Sequence, residues 1–182
     1  MLAQQFTYGH VMGWLSPDVI LANNDTLSFT RQLVQLKLTY SQFLVFGRLM
    51  RPPTLTAADG GALRELEWCL TGWAPTCCQT TQVIGQLWMD ASQGSLGLAL
   101  ANPTNATVSV GAALRVDGHT HLLAGGRALI DGVPLKVGDT HLELTKTLQP
   151  YSACVVTVAA DRGSGAANLE WLDGVAPSNH RA

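Results

Sequence analysis

Between residues 80 and 116 the chain reads TTQVIGQLWMDASQGSLGLALANPTNATVSVGAALRV, in which short apolar runs alternate with turn residues. Turn chemistry falls at residues 90–94 and 102–105, and the apolar runs span residues 83–88, 96–101 and 108–114, the pattern of an antiparallel meander. The period of two continues on both sides. Upstream, Leu66, Trp68 and Leu70 alternate with Glu65, Glu67 and Thr71. Downstream, a strand pair is expected around Leu122-Leu123 and Ala128-Leu129-Ile130, joined through Gly125-Gly126, and residues 142–145 and 154–158 supply two more strands. About seven or eight short strands with regular turn spacing predict a mainly β fold, an antiparallel β-sandwich over residues 65–160.

The first 53 residues follow a different pattern. Phe6-Thr7-Tyr8, aromatic and β-branched, stops at Gly9 and predicts a strand emptying into a loop, with a turn or the first turn of a short helix at Ser16-Pro17-Asp18. Asn24-Asp25-Thr26 offers capping residues, and Phe29, Leu33, Leu36, Tyr40 and Phe43 then recur at intervals of four and three, which predicts a helix over residues 27–46. Leu27, Val34, Leu38, Leu44 and Phe46 widen its apolar stripe, so the helix is expected to be covered on more than one side. Gly47 is placed to close it in a left-handed cap, and Arg51-Pro52-Pro53 forbids continuation. Residues 54–64, rich in Thr, Ala, Asp and Gly, read as a linker, and residues 161–182 as a flexible tail.

Composition narrows the classes of partner. Charged residues are 13% of the chain against 47% hydrophobic, and 11 basic residues face 13 acidic ones, so the footprint for nucleic acid or an anionic membrane is missing. No apolar run approaches the ~18 residues that span a bilayer. The N-terminus, MLAQQFTYGHVMGWL, lacks the basic region and cleavage site of a signal peptide, so the chain reads as soluble, with no visible address. The four cysteines, Cys69, Cys77, Cys78 and Cys154, contain no C-x-x-C pair. Cys69 and Cys154 read as small buried hydrophobes and Cys77 and Cys78 as part of a Pro/Thr-rich turn, with a bridge from that turn to Cys69 or Cys154 left open.

Several segments taken in order, GHVMGW at residues 9–14, FLVFGRLMRPP at 43–53, VIGQLW at 83–88 and LALANPT at 98–104, resemble the C-terminal end of a glycoside-hydrolase-like family. That family comprises largely uncharacterised (β/α)8-barrel proteins of the α-amylase and α-galactosidase type, in which a β-sandwich follows the catalytic barrel. The closing domain of such proteins often contains an Asn-x-Ser/Thr turn after one strand and a Pro-Tyr/Arg-Ser turn before its last, places that look like Asn102-Pro103-Thr104 and Pro150-Tyr151-Ser152 here. The resemblance implies that residues 1–53 are the last strand, loop and helix of a barrel, and that residues 65–160 are the closing sandwich. The chain would then be the C-terminal part of a glycosidase-like, carbohydrate-active protein, with the sandwich acting as a structural or accessory domain. Phe6, Tyr8, Val11 and the broad face of the helix would lack partners unless the barrel or self-association covered them.

Glycosidases of this kind work with paired carboxylates at the ends of middle barrel strands, which would precede Met1, so no catalytic residue is assigned and the chain is expected to be inactive alone. Asp18, Asp25, Asp59, Glu65, Glu67 and Asp90 each have a simpler use as cap, turn or solvent-facing strand residue. By the resemblance, His10 and Trp14 fall on the loop facing the substrate, where an imidazole can bond sugar hydroxyls and an indole can stack on a sugar ring. The competing reading has Trp14 packed under the helix and His10 as a polar loop residue. A second class of function, a stand-alone carbohydrate-binding or structural β-module, would use Trp73, beside Gly72 and Pro75, as its stacking platform, with Trp68 and Trp88 better placed as core. Asn24-Asp25-Thr26 and Asn105-Ala106-Thr107 fit the N-glycosylation pattern. His119 and His121, with His141 further on, have a spacing that can hold a metal, but Gly118 marks an exposed hairpin, so no metal and no cofactor is expected.

Overall fold

The computed structural model describes residues 2–11, 17–70, 76–90, 92, 95–115, 127–130, 133–136 and 141–160. Among the described residues four helices come first: α1 (Leu2–Thr7), α2 (Pro17–Leu21), α3 (Asn24–Thr39) and α4 (Ser41–Leu44). Eleven strands follow among the described residues: β1 (Arg48–Leu49), β2 (Thr54–Ala57), β3 (Glu65–Leu70), β4 (Thr76–Thr81), β5 (Ile84–Met89), β6 (Leu96–Asn102), β7 (Val108–Arg115), β8 (Arg127–Ile130), β9 (Val133–Lys136), β10 (His141–Leu148) and β11 (Ser152–Ala160). They form a six-stranded sheet, β1-β5-β6-β11-β8-β9, a three-stranded sheet, β10-β7-β2, and a separate β3-β4 ribbon. Every described pairing is antiparallel. The fold is therefore mainly β, as the alternation predicted.

The sequence LGLALAN of β6 explains the layering. All seven of its residues are buried, so this strand is covered on both faces. Its large side chains, Leu96, Leu98 and Leu100, join one core together with Leu87 of β5 and Val156 and Val158 of β11. Facing them are Val108, Val110, Ala112 and Leu114 of β7, Leu144 and Leu148 of β10, and Leu55 of β2. Its small side chains, Ala99 and Ala101, join a second core with Ala153 and Val155, closed by Ala3, Phe6, Phe29, Leu33, Phe43 and Leu44 from the helices. Large residues on one face fill the gap between sheets; small ones on the other let helices lie close. The result is three layers: helices, six-stranded sheet, three-stranded sheet.

Three features of the first 60 residues differ from the sequence reading. The Phe6-Thr7-Tyr8 strand is instead the end of a helix, α1, because Ala3 and Phe6 lie on one helical face and are buried against the sheet. The helix closes at Gly9, φ +66°, where the Gly9 amide donates to the Phe6 carbonyl and the His10 amide to the Gln5 carbonyl, the paired bonds of a Schellman cap. A Cβ at Gly9 would lie 2.6 Å from the Leu44 carbonyl oxygen, so the position requires glycine. Phe6 thus finds its partner on the sandwich itself.

The single helix expected over residues 27–46 is two. Asn23 caps α3, its side-chain oxygen accepting from the Thr26 amide at 3.0 Å, and the helix stops where Tyr40 leaves helical geometry at φ −108°, ψ 36°. The break brings both Phe43 and Leu44 of α4 onto the sheet. Gly47 does not take the left-handed conformation; glycine is needed there because a Cβ would collide with the Phe43 carbonyl. Residues 54–64 are more than a linker, since they open with β2, the third strand of the smaller sheet.

Two turns singled out by sequence lie against each other. Asn102, fully buried, donates to the carbonyls of Ala106 (2.8 Å) and Gln149 (2.9 Å) and accepts from the Thr104 amide and hydroxyl. The Tyr151 amide, next to Pro150, donates to Thr104 at 2.9 Å. One buried side chain thereby satisfies the backbone of both turns.

Cys77 and Cys78 are strand residues of β4, not turn residues. The threonines around them suit an extended backbone better than their polarity suggests. Cys77 is disulfide-bonded, and the residue opposite it in the register is Cys69, while Cys78 is a free thiol. Cys154 contributes its thiol side chain to the sandwich core. The strand expected near residues 122–123, the Gly125-Gly126 turn, His119, His121 and the tail 161–182 lie outside the described residues.

Candidate functional site

The helical layer has two sides. Its inner side is the second core; outward, α3 exposes Val34 and Leu38, and the segment after α4 exposes Val45 and Phe46, the last 80% accessible. Tyr8 and Val11 are also exposed, on the loop after α1. That loop is anchored between the two helices. Lys37 Nζ, from α3, donates to the Gly9 carbonyl at 2.8 Å and the His10 carbonyl at 2.5 Å, while Gly9 abuts the Leu44 carbonyl of α4. A cation on the carbonyl end of α1 also answers the helix dipole. Partial burial of this ammonium pushes the Lys37 pKa below its ordinary value.

Trp88 ties the same loop to the sheet. It is buried on β5, and its indole Nε1 donates to the Thr7 carbonyl at 2.8 Å. Its ring also lies under Gly9, where a Cβ would come within 2.9 Å of it. Trp88 is a core residue, and the loop it supports presents the exposed His10 side chain, whose ring centroid stands 6.2 Å from that of Tyr8. Gly9, Lys37 and Trp88 position this loop, and the sequence reading passed over that role. The only sequence signal was a glycine following an apolar i, i+3 pair, a helix C-cap pattern.

The other sequence candidates scatter. Trp14 and Trp73 lie outside the described residues. Asn24 is exposed as the first residue of α3, whereas Asn105 is exposed in the turn between β6 and β7. Of the carboxylates, Asp18 and Asp25 sit in the first turns of α2 and α3, where negative charge suits the helix N-terminus. Asp59 accepts from the Gly61 amide at 2.9 Å. Asp90, buried at the β5-β6 turn, accepts from the Ser92 amide at 2.8 Å and the Ser92 hydroxyl at 2.6 Å. Glu65 and Glu67 are exposed on β3. Among the described residues, no three His, Cys, Asp or Glu side chains are grouped to hold a metal ion, and no helix is long and apolar enough to cross a membrane.

The chain was compared with known protein families, with curated proteins and with solved structures, and matches none of them.

Proposed function

We propose that this chain is the closing module of a glycosidase-like, carbohydrate-active protein, with the outer side of its helical layer forming the seat for a catalytic barrel. The observation that carries the reading is the uneven finish of the two outer surfaces. The outward positions of the three-stranded sheet are small or polar, among them Thr54, Thr56, Ser109, Gly111, Thr145 and Thr147. The helical layer instead exposes Phe46, Leu38, Val45 and Val34. Apolar side chains gathered on one side of a soluble module mark a surface that another body covers. In this reading the chemistry of bond cleavage belongs to carboxylates of the barrel, and His10 stands on a loop at the junction, where it reaches a sugar only once neighbouring loops complete the subsite.

The test is to read the coding sequence that precedes Met1 and express the longer polypeptide. A (β/α)8 barrel upstream, with residues 34–46 gaining amide protection in the longer chain, is the expected result. Joined polypeptide in which Phe46 and Leu38 stay open to solvent would overturn it. The alternative, a stand-alone carbohydrate-binding module, draws on the tryptophans and is separated by affinity electrophoresis in polysaccharide gels. A structural module migrates unretarded, and a binding module is slowed.

A further inference from the structure

We infer that the β3-β4 ribbon is a redox-gated arm, ordered by the Cys77 disulfide and able to melt without the sandwich. Among the described residues its two strands pair only with each other and join neither larger sheet. The ribbon is rooted in the body by Leu63 and Val83, both buried, and its base is closed by the Gln82 amide donating to the Arg64 carbonyl at 2.9 Å. Beyond that root, Glu65, Glu67, Cys77, Gln79 and Thr81 are exposed, while Leu66, Cys78 and Thr80 are only half-buried. A two-stranded ribbon whose described side chains are exposed or half-buried is marginal in water. The cross-link at Cys77, which stands opposite Cys69, confines the unfolded ribbon to a short closed loop and so favours the paired state. The sandwich has two cores of its own and needs no such help.

Exposure at Cys77 makes the bridge open to thiol exchange. One thiolate of a small dithiol attacks a sulfur of the disulfide and expels the other as a thiolate, which takes up a proton. The reductant's second thiol then displaces the mixed disulfide. The protein gains two electrons and two protons as two thiols, and the dithiol leaves as a cyclic disulfide. Reduction thereby releases residues 65–70 and 76–81 from their paired form, and with them the display of Glu65 and Glu67.

Amide exchange with and without dithiothreitol, read by mass spectrometry beside an alkylation count, tests this on the full chain. Reduction is expected to add two alkylatable thiols and to accelerate exchange over residues 65–70 and 76–81 by roughly 100-fold. Residues 96–102 and 152–158 keep their protection. Cys77→Ser, without reductant, should reproduce the reduced pattern. Unchanged ribbon protection in the reduced protein or in Cys77→Ser would overturn the inference. So would failure to gain two thiols, or loss of protection in β6 together with the ribbon.

Discussion

A single methyl group at Gly97 probes the seating of the helices on the central strand. An ideal Cβ there would stand 2.7 Å from Cγ of Phe43 and 2.9 Å from each of its Cδ atoms. Ordinary carbon contacts are about 3.5–4.0 Å, so the ring of α4 must retreat by about 1 Å. Phe43 is 2% exposed and has no solvent to retreat into. Overpacking of this kind costs about 1–3 kcal/mol. Loss of glycine's freedom in the unfolded chain returns about 0.4–1 kcal/mol. Gly97→Ala should therefore destabilise by about 1–2 kcal/mol, lowering the urea midpoint at unchanged m. In a Phe43→Leu background the smaller side chain leaves room for the methyl group, and the same substitution should become neutral or stabilising. The double-mutant cycle would then show a coupling of about 1–2 kcal/mol. Additive effects, or a stabilised Gly97→Ala protein, would show that Phe43 does not lie on β6 and would refute the packing argument.

Other expectations follow from the same contacts. Trp88→Phe removes the donor to the buried Thr7 carbonyl and should cost about 1–3 kcal/mol in urea unfolding, with faster exchange over α1. Phe46→Glu should change stability of the isolated chain by less than about 0.5 kcal/mol, because the side chain is already in water, yet should weaken docking of a barrel in pull-down assays. Lys37, desolvated, has its pKa lowered from 10.5. In the window between that lowered value and 10.5 the unfolded chain holds the proton that the folded chain has lost, so this group's contribution to stability rises with pH. Lys37→Arg stays protonated and lacks the increment, so the stability of the native protein relative to the variant should climb as pH is stepped towards 10.5.

Period-two alternation was enough to read the β-rich fold, because β7, β10 and β11 each carry an apolar face opposite a more polar or smaller one. The three-layer arrangement was harder to see. β6 has no polar face, and its message lies in Leu96, Leu98 and Leu100 alternating with Gly97, Ala99 and Ala101, a difference of size that a hydrophobic-polar pattern does not register. α1 was misread because its six residues end in Phe6 and Thr7, which together with the following Tyr8 satisfy strand propensity, while contact with the sheet decides for helix. β4 was missed because Thr76, Gln79, Thr80 and Thr81 are polar and follow a proline, although threonine is a good strand former. For the candidate site, the exposed apolar residues were legible as the excess width of the helical stripe. The Lys37 and Trp88 anchors were not, since each acts on a backbone carbonyl distant in sequence and leaves no local pattern.

Native-state hydrogen exchange along α3 and β6 tests most directly whether helices and sheets are one folded body. Amides of residues 30–36 and residues 97–101 should open with the same free energy and the same dependence on urea, as parts of one cooperative unit. Exchange of the α3 amides through a cheap local opening, while β6 stays fully protected, would contradict the account.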